Sequence, residues 1–355
     1  MSKRFTVVLL LAVFVIGLIV CGGAQGATKA EFIIRFAGSV PEDHPITMGH
    51  YKFKELAENY SNGRLEVQVF PNSQLGSLRE YHEMLQAGNI QMAEAGSVIL
   101  ANFTKKFMFA QMPFLFNSRE AVQHFLAGET GSAVRLAIAE ETNIYPLVFY
   151  ENGFQDVTNS LREIRTPEDM ANMKLRTQEN PILLEIYKAL GANPMPMAFG
   201  ELFTAMQLKT VDGQVNPILV NSTGRYFEVQ KYITDVYAVY DVAGISINYE
   251  FYNKLPQDLR DVIHKAVQDA LEYHLKLSAE LSSTAYDYMA EKGMTVTRLT
   301  AADREPFRAR TAKVYDWFRA QGLEPNLDQL LAAIEVSNKM FTEGRLEPVI
   351  GKEKK

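Results

Sequence analysis

The sequence predicts an α/β fold of two lobes that share one long helix, and three stretches carry that prediction. Residues from Glu31 to Val69 read as strand, helix, strand, a unit that builds a parallel sheet. Met173 to Pro217 reads as strand, helix, strand, helix, strand, enough for a second α/β layer. From Pro256 to about Gly293, apolar or small residues recur at helical spacing, among them Leu259, Ile263, Ala266, Val267, Ala270, Leu281, Ala285 and Met289. At about 1.5 Å per residue this helix is roughly 55 Å long, wider than a single lobe, so it underlies both.

Taken in order, the chain opens with Lys3 and Arg4 before an apolar run from Phe5 to Val20 and then small residues. This predicts a secretory signal over residues 1–26, with cleavage at Ala24-x-Gly26. An uncleaved anchor and lipidation at Cys21 are the alternatives; the run is short for a span, and Val20 stands where a lipidation site wants a small residue. Cleavage after Gly26 leaves no cysteine, so stability must come from packing.

Glu31–Ala37 reads as a buried strand, and Phe53, Leu56, Ala57 and Tyr60 mark a helix that Ser61-Asn62-Gly63 stops. Leu65, Val67 and Val69 alternate as a strand. A helix follows up to Gly88, then a strand Ile90–Ala93 with Glu94 just past its end. Asn117 or Ser118 caps a helix that Gly128 closes. Tyr145–Tyr150 is a strand leaving the first lobe, and the second lobe's first strand begins after Asn152-Gly153. Thr166-Pro167-Glu168-Asp169 carries an N-cap, a Pro at the first helical position and early acids. A helix is expected through Tyr226, Phe227, Val229 and Tyr232, and a strand from Val236 to Ile247 returns to the first lobe. Met294–Arg298 is a strand, Thr300 with Asp303 caps a helix through Trp317, and the tail after Met340 is polar.

Lys and Arg number 36 against 42 Asp and Glu, and the signs are interspersed. A nucleic-acid surface would show a basic stripe, which is absent. An anionic small ligand needs only one buried Arg. Arg176 closes the first strand of the second α/β layer and Asn216 closes its last, which is where ligands sit in open α/β sheets. The guanidinium offers a planar fork for a carboxylate, and Asn both donates and accepts.

The stretch Lys174-Leu175-Arg176, Asn180-Pro181, then Pro196-Met197-Ala198-Phe199, Glu201, and Val211-Asp212-Gly213-Gln214 with Asn216-Pro217 resembles one family. So do Phe70–Gly76 upstream and Arg225–Lys231 downstream. The chain is similar to the DctP-type substrate-binding proteins of TRAP (tripartite ATP-independent periplasmic) transporters over nearly its whole mature length. The resemblance implies a periplasmic-binding-protein-like, Venus-flytrap fold with a helical spine. It implies a periplasmic, monomeric receptor that takes an organic acid and docks on small and large membrane subunits driven by an ion gradient. Lobe I is expected over 27–152 and 242–281, lobe II over 153–241 and 282–340, and the tail over 341–355.

By the same resemblance Arg176 clamps the carboxylate, Asn216 contacts the ligand, Glu94 is a polar contact from lobe I, Phe199 is a wall and Phe36 lines the first-lobe pocket. Gln155 stands where the family commonly has Arg after Gly-Phe, and Val215 where it commonly has Glu before Asn. Losing opposite charges together keeps the pocket balanced; two unrelated changes are the alternative. With Arg176 as the one cationic anchor, the expected ligand is a monocarboxylate with an apolar, aromatic or lightly oxygenated body, in preference to a dicarboxylate or a heavily hydroxylated sugar acid, walled by Phe36, Phe154, Phe199, Tyr237 or Tyr240.

Catalytic signatures are missing, with no Gly-x-Ser-x-Gly, phosphate-cradling Gly loop or His-Glu-x-x-His. His264 and His274 lie ten residues apart on the long helix, off one face, so they do not share a metal. No catalytic residue, cofactor or metal is expected. Two other function classes remain open, a receptor feeding a sensor and an enzyme on the same two-lobed fold, for which Glu94 is the one candidate base.

Overall fold

The computed structural model describes residues 30–322 and 326–346; the expected signal and the last nine residues lie outside the described residues. Lobe I is built from β1 (Phe32–Ala37), α1 (Pro45–Tyr60), β2 (Leu65–Phe70), α2 (Leu78–Gln86), β3 (Met92–Glu94), α3 (Ser97–Leu100), α4 (Arg119–Ala127) and α5 (Glu129–Thr142). β4 (Ile144–Asn159) then crosses into lobe II. There follow β5 (Lys174–Thr177), α6 (Pro181–Ala189), β6 (Asn193–Pro196), α7 (Leu202–Gln207), β7 (Gly213–Pro217), α8 (Ile218–Thr223) and β8 (Tyr232–Thr234). β9 (Tyr240–Asn248) returns to lobe I and α9 (Tyr249–Lys254) leads into α10 (Gln257–Glu291). The chain ends with β10 (Thr295–Thr297), α11 (Ala301–Thr311), α12 (Lys313–Ala320) and α13 (Leu327–Thr342).

The strands run β2-β1-β3-β9-β4-β7-β5-β6, with β8 joining β4 to β10. β1 is parallel to β2 and β3, and β5 is parallel to β6 and β7, so each lobe has its own parallel set. The antiparallel pair β4 and β9 links them. Asn62 and Gly63 at positive φ end α1 and turn the chain into β2. A capping box of Ser77 with Glu80 starts α2, and Ser118 caps α4. The expected box of Thr300 with Asp303 starts α11.

Where two strands were expected around Asn152-Gly153, β4 is one strand of 16 residues with an irregularity between Glu151 and Gly153. Gly153, at φ +123°, absorbs the bend. Both lobes offer β4 a ladder, so pairing carries the strand through the turn signal. The helix expected over Tyr226–Tyr232 does not form. Arg225 adopts φ 55°, one 3-10 turn spans Tyr226–Glu228, and Tyr232 already pairs with Asn159 in β8. β9 begins four residues later than expected because Tyr237 sits at φ 57° and Tyr237 N donates to Gln155 O. The helix expected through Trp317 is split at Ala312.

The 35-residue α10 is the spine. Its Leu259, Ile263, Ala266, Val267 and Ala270 join Phe53 and Ala57 of α1 in the lobe I core. At its other end Met289 packs with Ile233 and Met294, and Tyr286 Oη donates to Asp156. Between the lobes the stripe thins and Leu281 is exposed. His274 Nε2, 3.1 Å from Glu151 O, ties the spine to β4 beside its irregularity. α13 returns to lobe I, where Ser337 meets His124 and Asn338 bonds Asn117 and Leu115. It therefore leaves the lobe II assignment expected for 282–340, because its apolar face finds α4.

Gly244 sits at the middle of β9, where a Cβ would stand 2.6 Å from Ala95 O and 2.8 Å from Val148 O. Gly244→Ala is expected to destabilise the protein by about 1–3 kcal/mol through backbone displacement. Urea unfolding checks it: a lowered midpoint at unchanged slope is expected, and an unchanged midpoint contradicts the close approach.

Candidate functional site: an interlobe cleft

The lobes meet across two adjoining cavities of about 60 and 30 Å³ that share Leu78, Val98 and Ile99 from lobe I with Gln178 and Phe199 from lobe II. Asn102 Nδ2 donates to Glu179 O and Asn180 Nδ2 to Val98 O, so the lobes are closed on each other. A larger groove of about 700 Å³ lies outside the cleft between α13 and the Phe114 loop. Its Arg308 and Lys339 already pair with Glu305 and Glu343.

Arg176 is the penultimate residue of β5, one short of the expected strand end, with 1% of its surface exposed. Nε and Nη2 both donate to Met197 O, at 3.0 and 2.8 Å, and Nη1 has no partner. Burial lowers its pKa to about 10, which leaves it charged at neutral pH. No carboxylate pairs with it among the described residues. A buried, half-satisfied guanidinium is costly without a counter-charge.

Asn216 lines the larger cavity, and both polar atoms of its amide are already hydrogen-bonded within the protein. Its Nδ2 donates to Gln214 Oε1, and its Oδ1 accepts from Gln178 Nε2 at 3.4 Å. Gln214 Nε2 donates to Asn221 Oδ1, and Asn221 Nδ2 donates to Asn216 O. A backbone carbonyl only accepts, so it fixes the orientation of Asn221 and of each amide after it. The relay ends on Gln178, whose Oε1 is unpartnered.

Glu94 enters the larger cavity from lobe I, held by Ser39 N on Oε2 at 3.0 Å and by Ser39 Oγ. It closes β3 itself instead of following it. Burial raises its carboxyl to about 7, and Asp241 adds to the shift. Asp241, on β9 in the same cavity, is raised by burial to about 6 and accepts from Asn152 Nδ2 at 2.8 Å.

The structure thus brings together Arg176, Asn216, Glu94 and Phe199, which lines both cavities. Phe36 lines neither. It is fully buried in the lobe I core, with its ring 4.1 Å from that of His50. Gln155 lines neither, because it shares with Val157 and Val215 the face of β4 and β7 turned to α6, where Tyr187 donates to it. Phe154 stacks on Tyr237 and meets Tyr240 edge-on, outside the cavities. Sequence reasoning missed Gln178 and Asp241. Gln178 lies two residues beyond Arg176, the period that returns to one side of an extended chain. Asp241 interrupts the apolar run Val239 to Ala243, which was its only signal.

Two lobes joined by crossing strands, with a buried arginine in a closed cleft, have the architecture of a solute receptor of the periplasmic-binding type. The chain belongs to the DctP family, bacterial extracellular solute-binding protein family 7, whose model matches residues 36–321. It is 30% identical over 92% of its length to the 2,3-diketo-L-gulonate-binding periplasmic protein YiaO of Escherichia coli, covering 97% of that protein. It is 34% identical to the C4-dicarboxylate-binding periplasmic protein DctP of Rhodobacter capsulatus, over 82% of this chain and 87% of that one. The solved structure of the sugar acid binding protein DctPAm from Advenella mimigardefordensis, in complex with galactonate, superposes with a TM-score of 0.83 at 30% identity. That match covers 87% of this chain and 99% of that one.

The raised Glu94 carboxyl fixes a pH dependence. A carboxyl raised from 4.5 to about 7 stabilises the fold fully below its unfolded value and loses that contribution as pH rises through about 7. Unliganded Glu94→Gln should therefore exceed wild type at pH 8 by on the order of 3 kcal/mol, with the gap closing towards pH 4.5. Buried His44 and His50, lowered to about 3, act alike on both proteins and drop out of the difference. Unfolding across pH checks this, and a gap independent of pH would contradict it.

Proposed function

We propose that this TRAP-family receptor closes on one organic acid, with a carboxylate held by Arg176 in the interlobe cleft. The observation that carries the reading is the buried guanidinium with Nη1 unpartnered beside a cavity. Met197 O occupies one edge of the fork and positions the other for an anion. Asn216 acts through Gln178, Glu94 contacts the ligand from lobe I and Phe199 forms a wall. A monocarboxylate fits, because Arg79, which also borders the smaller cavity, is paired with Glu83, and a second carboxylate would face Glu94 and Asp241.

Lobe I comprises 30–152, 242–281 and α13; lobe II comprises 153–241 and 282–320. The hinge lies where β4 is irregular beside β9, with Glu151 bound by Arg119 and Tyr240. Opening there parts the bonds of Asn102 and Asn180. The receptor works as a monomer, secreted by its cleaved leader into the periplasm, and its closed form docks on the small and large membrane subunits. It carries its ligand unchanged, without catalysis or cofactor, as expected of a transport family.

Calorimetry with the acid giving the largest shift in a thermal screen tests the anchor. Arg176→Ala should weaken binding by roughly thirtyfold or more, the cost of removing one member of a buried charge pair. Arg176→Lys should recover only part, lacking the bidentate fork. Near-native affinity in Arg176→Ala would remove this residue from the site.

Small-angle scattering tests the hinge. Ligand should lower the radius of gyration, and an unchanged radius at saturation would contradict hinge closure.

A further inference from the structure

We propose that the cleft selects a monocarboxylate whose body carries several hydroxyl groups, because the cavity beyond Arg176 presents more hydrogen-bond acceptors than side-chain donors. The inference rests on the reading of Arg176 as the carboxylate anchor and adds what the rest of the ligand must be.

A count of free polar atoms carries it. Gln178 Oε1 and Asn152 Oδ1 are buried without partners, and both residues line the larger cavity. Neither amide can turn over. The relay from Asn216 O through Asn221, Gln214 and Asn216 commits Gln178 Nε2 to Asn216 Oδ1. Asn152 Nδ2 is committed to Asp241 Oδ2, where reversal would set an oxygen against a carboxylate. Glu94 and Asp241 add two carboxyl groups to the same cavity. The hydroxyl of Ser39 is spent on Glu94. The donors are one remaining N–H each on Gln178, Asn152 and Asn216, and a proton on Glu94 would add one more; two carboxyl groups and two free amide oxygens still leave acceptors in excess.

A ligand filling this space must therefore donate. Hydroxyl groups donate without bringing charge. An alkyl chain would leave the acceptors unpaired. A second carboxylate would bring more acceptors and like charge towards Glu94 and Asp241. The lightly oxygenated body expected from the sequence is replaced on the ground of these acceptors; Leu78, Val98, Ile99 and Phe199 wall the cavity and receive the carbon skeleton, while Phe36, Phe154, Tyr237 and Tyr240 stand outside it. Asp241 and Gln178 are the residues that set the preference.

Matched acids test it on the full secreted chain by calorimetry: 2,3,4-trihydroxybutanoate, butanoate, succinate and 4-aminobutanoate, with the five- and six-carbon counterparts of each. A polyhydroxy acid should bind best, with its alkyl and diacid counterparts at least about tenfold weaker. Asp241→Asn, which turns one acceptor into a donor, should narrow the gap between polyhydroxy acid and diacid about tenfold. An alkyl acid, a diacid or an amino acid at the head of the wild-type ranking overturns the inference, as does failure of every polyhydroxy acid to bind. Arg176→Ala separates the two claims. If it weakens a preferred diacid, the anchor stands and the hydroxyl inference falls; if it weakens no acid, the anchor itself falls.

Discussion

An arginine near the end of a strand inside the protein, with one edge of its guanidinium on a backbone carbonyl and one nitrogen unpartnered, has to be held there by everything around it. Arg176 is so placed because β5 pairs with β6 and β7 on both sides and its last residues emerge at the cleft. The segment after β6 must then return Met197 O to within 2.8 Å of Nη2. Desolvation of this charge is unfavourable, and burial lowers its pKa accordingly. The fold has a reason to keep it only if an anion completes it, and closure excludes the water that would otherwise compete.

The architecture answers a second requirement, that a closed cleft must also open. β4 and β9 are the strands that cross between lobes, and their ladder is broken near Glu151 and Gly153. α10 runs beneath, packed hard at both ends and more exposed between. Its His274 touches β4 beside the irregularity, so bending at the strands is felt along the helix. Bonds across the cleft are few and come from exposed or capping amides, Asn102 and Asn180, which water can replace when the lobes part.

Much of this was legible in the residues. The first βαβ unit, the alternating elements from Met173 to Pro217 and the long spine follow from periodicity and turn residues, and Arg176 and Asn216 from their places at strand ends. What could not be read depended on partners distant in sequence. Residues 226–232 have helical spacing, yet Tyr232 is claimed by β4 and β10. α13 finds its surface on α4, about 200 positions earlier. Gln155 was placed at the ligand by alignment, whereas strand register turns it to the opposite face from Asn216. The polarity of the Asn221–Gln214–Asn216–Gln178 relay is a property of four side chains and one carbonyl together, and no spacing announces it.

The central claim is that the buried charge of Arg176 is completed by a bound acid. Native mass spectrometry of protein purified without refolding, wild type beside Arg176→Ala, reads this directly. The account predicts one small acid per wild-type chain, released on denaturation, and none on the variant. The same acid retained by Arg176→Ala at wild-type occupancy would contradict it.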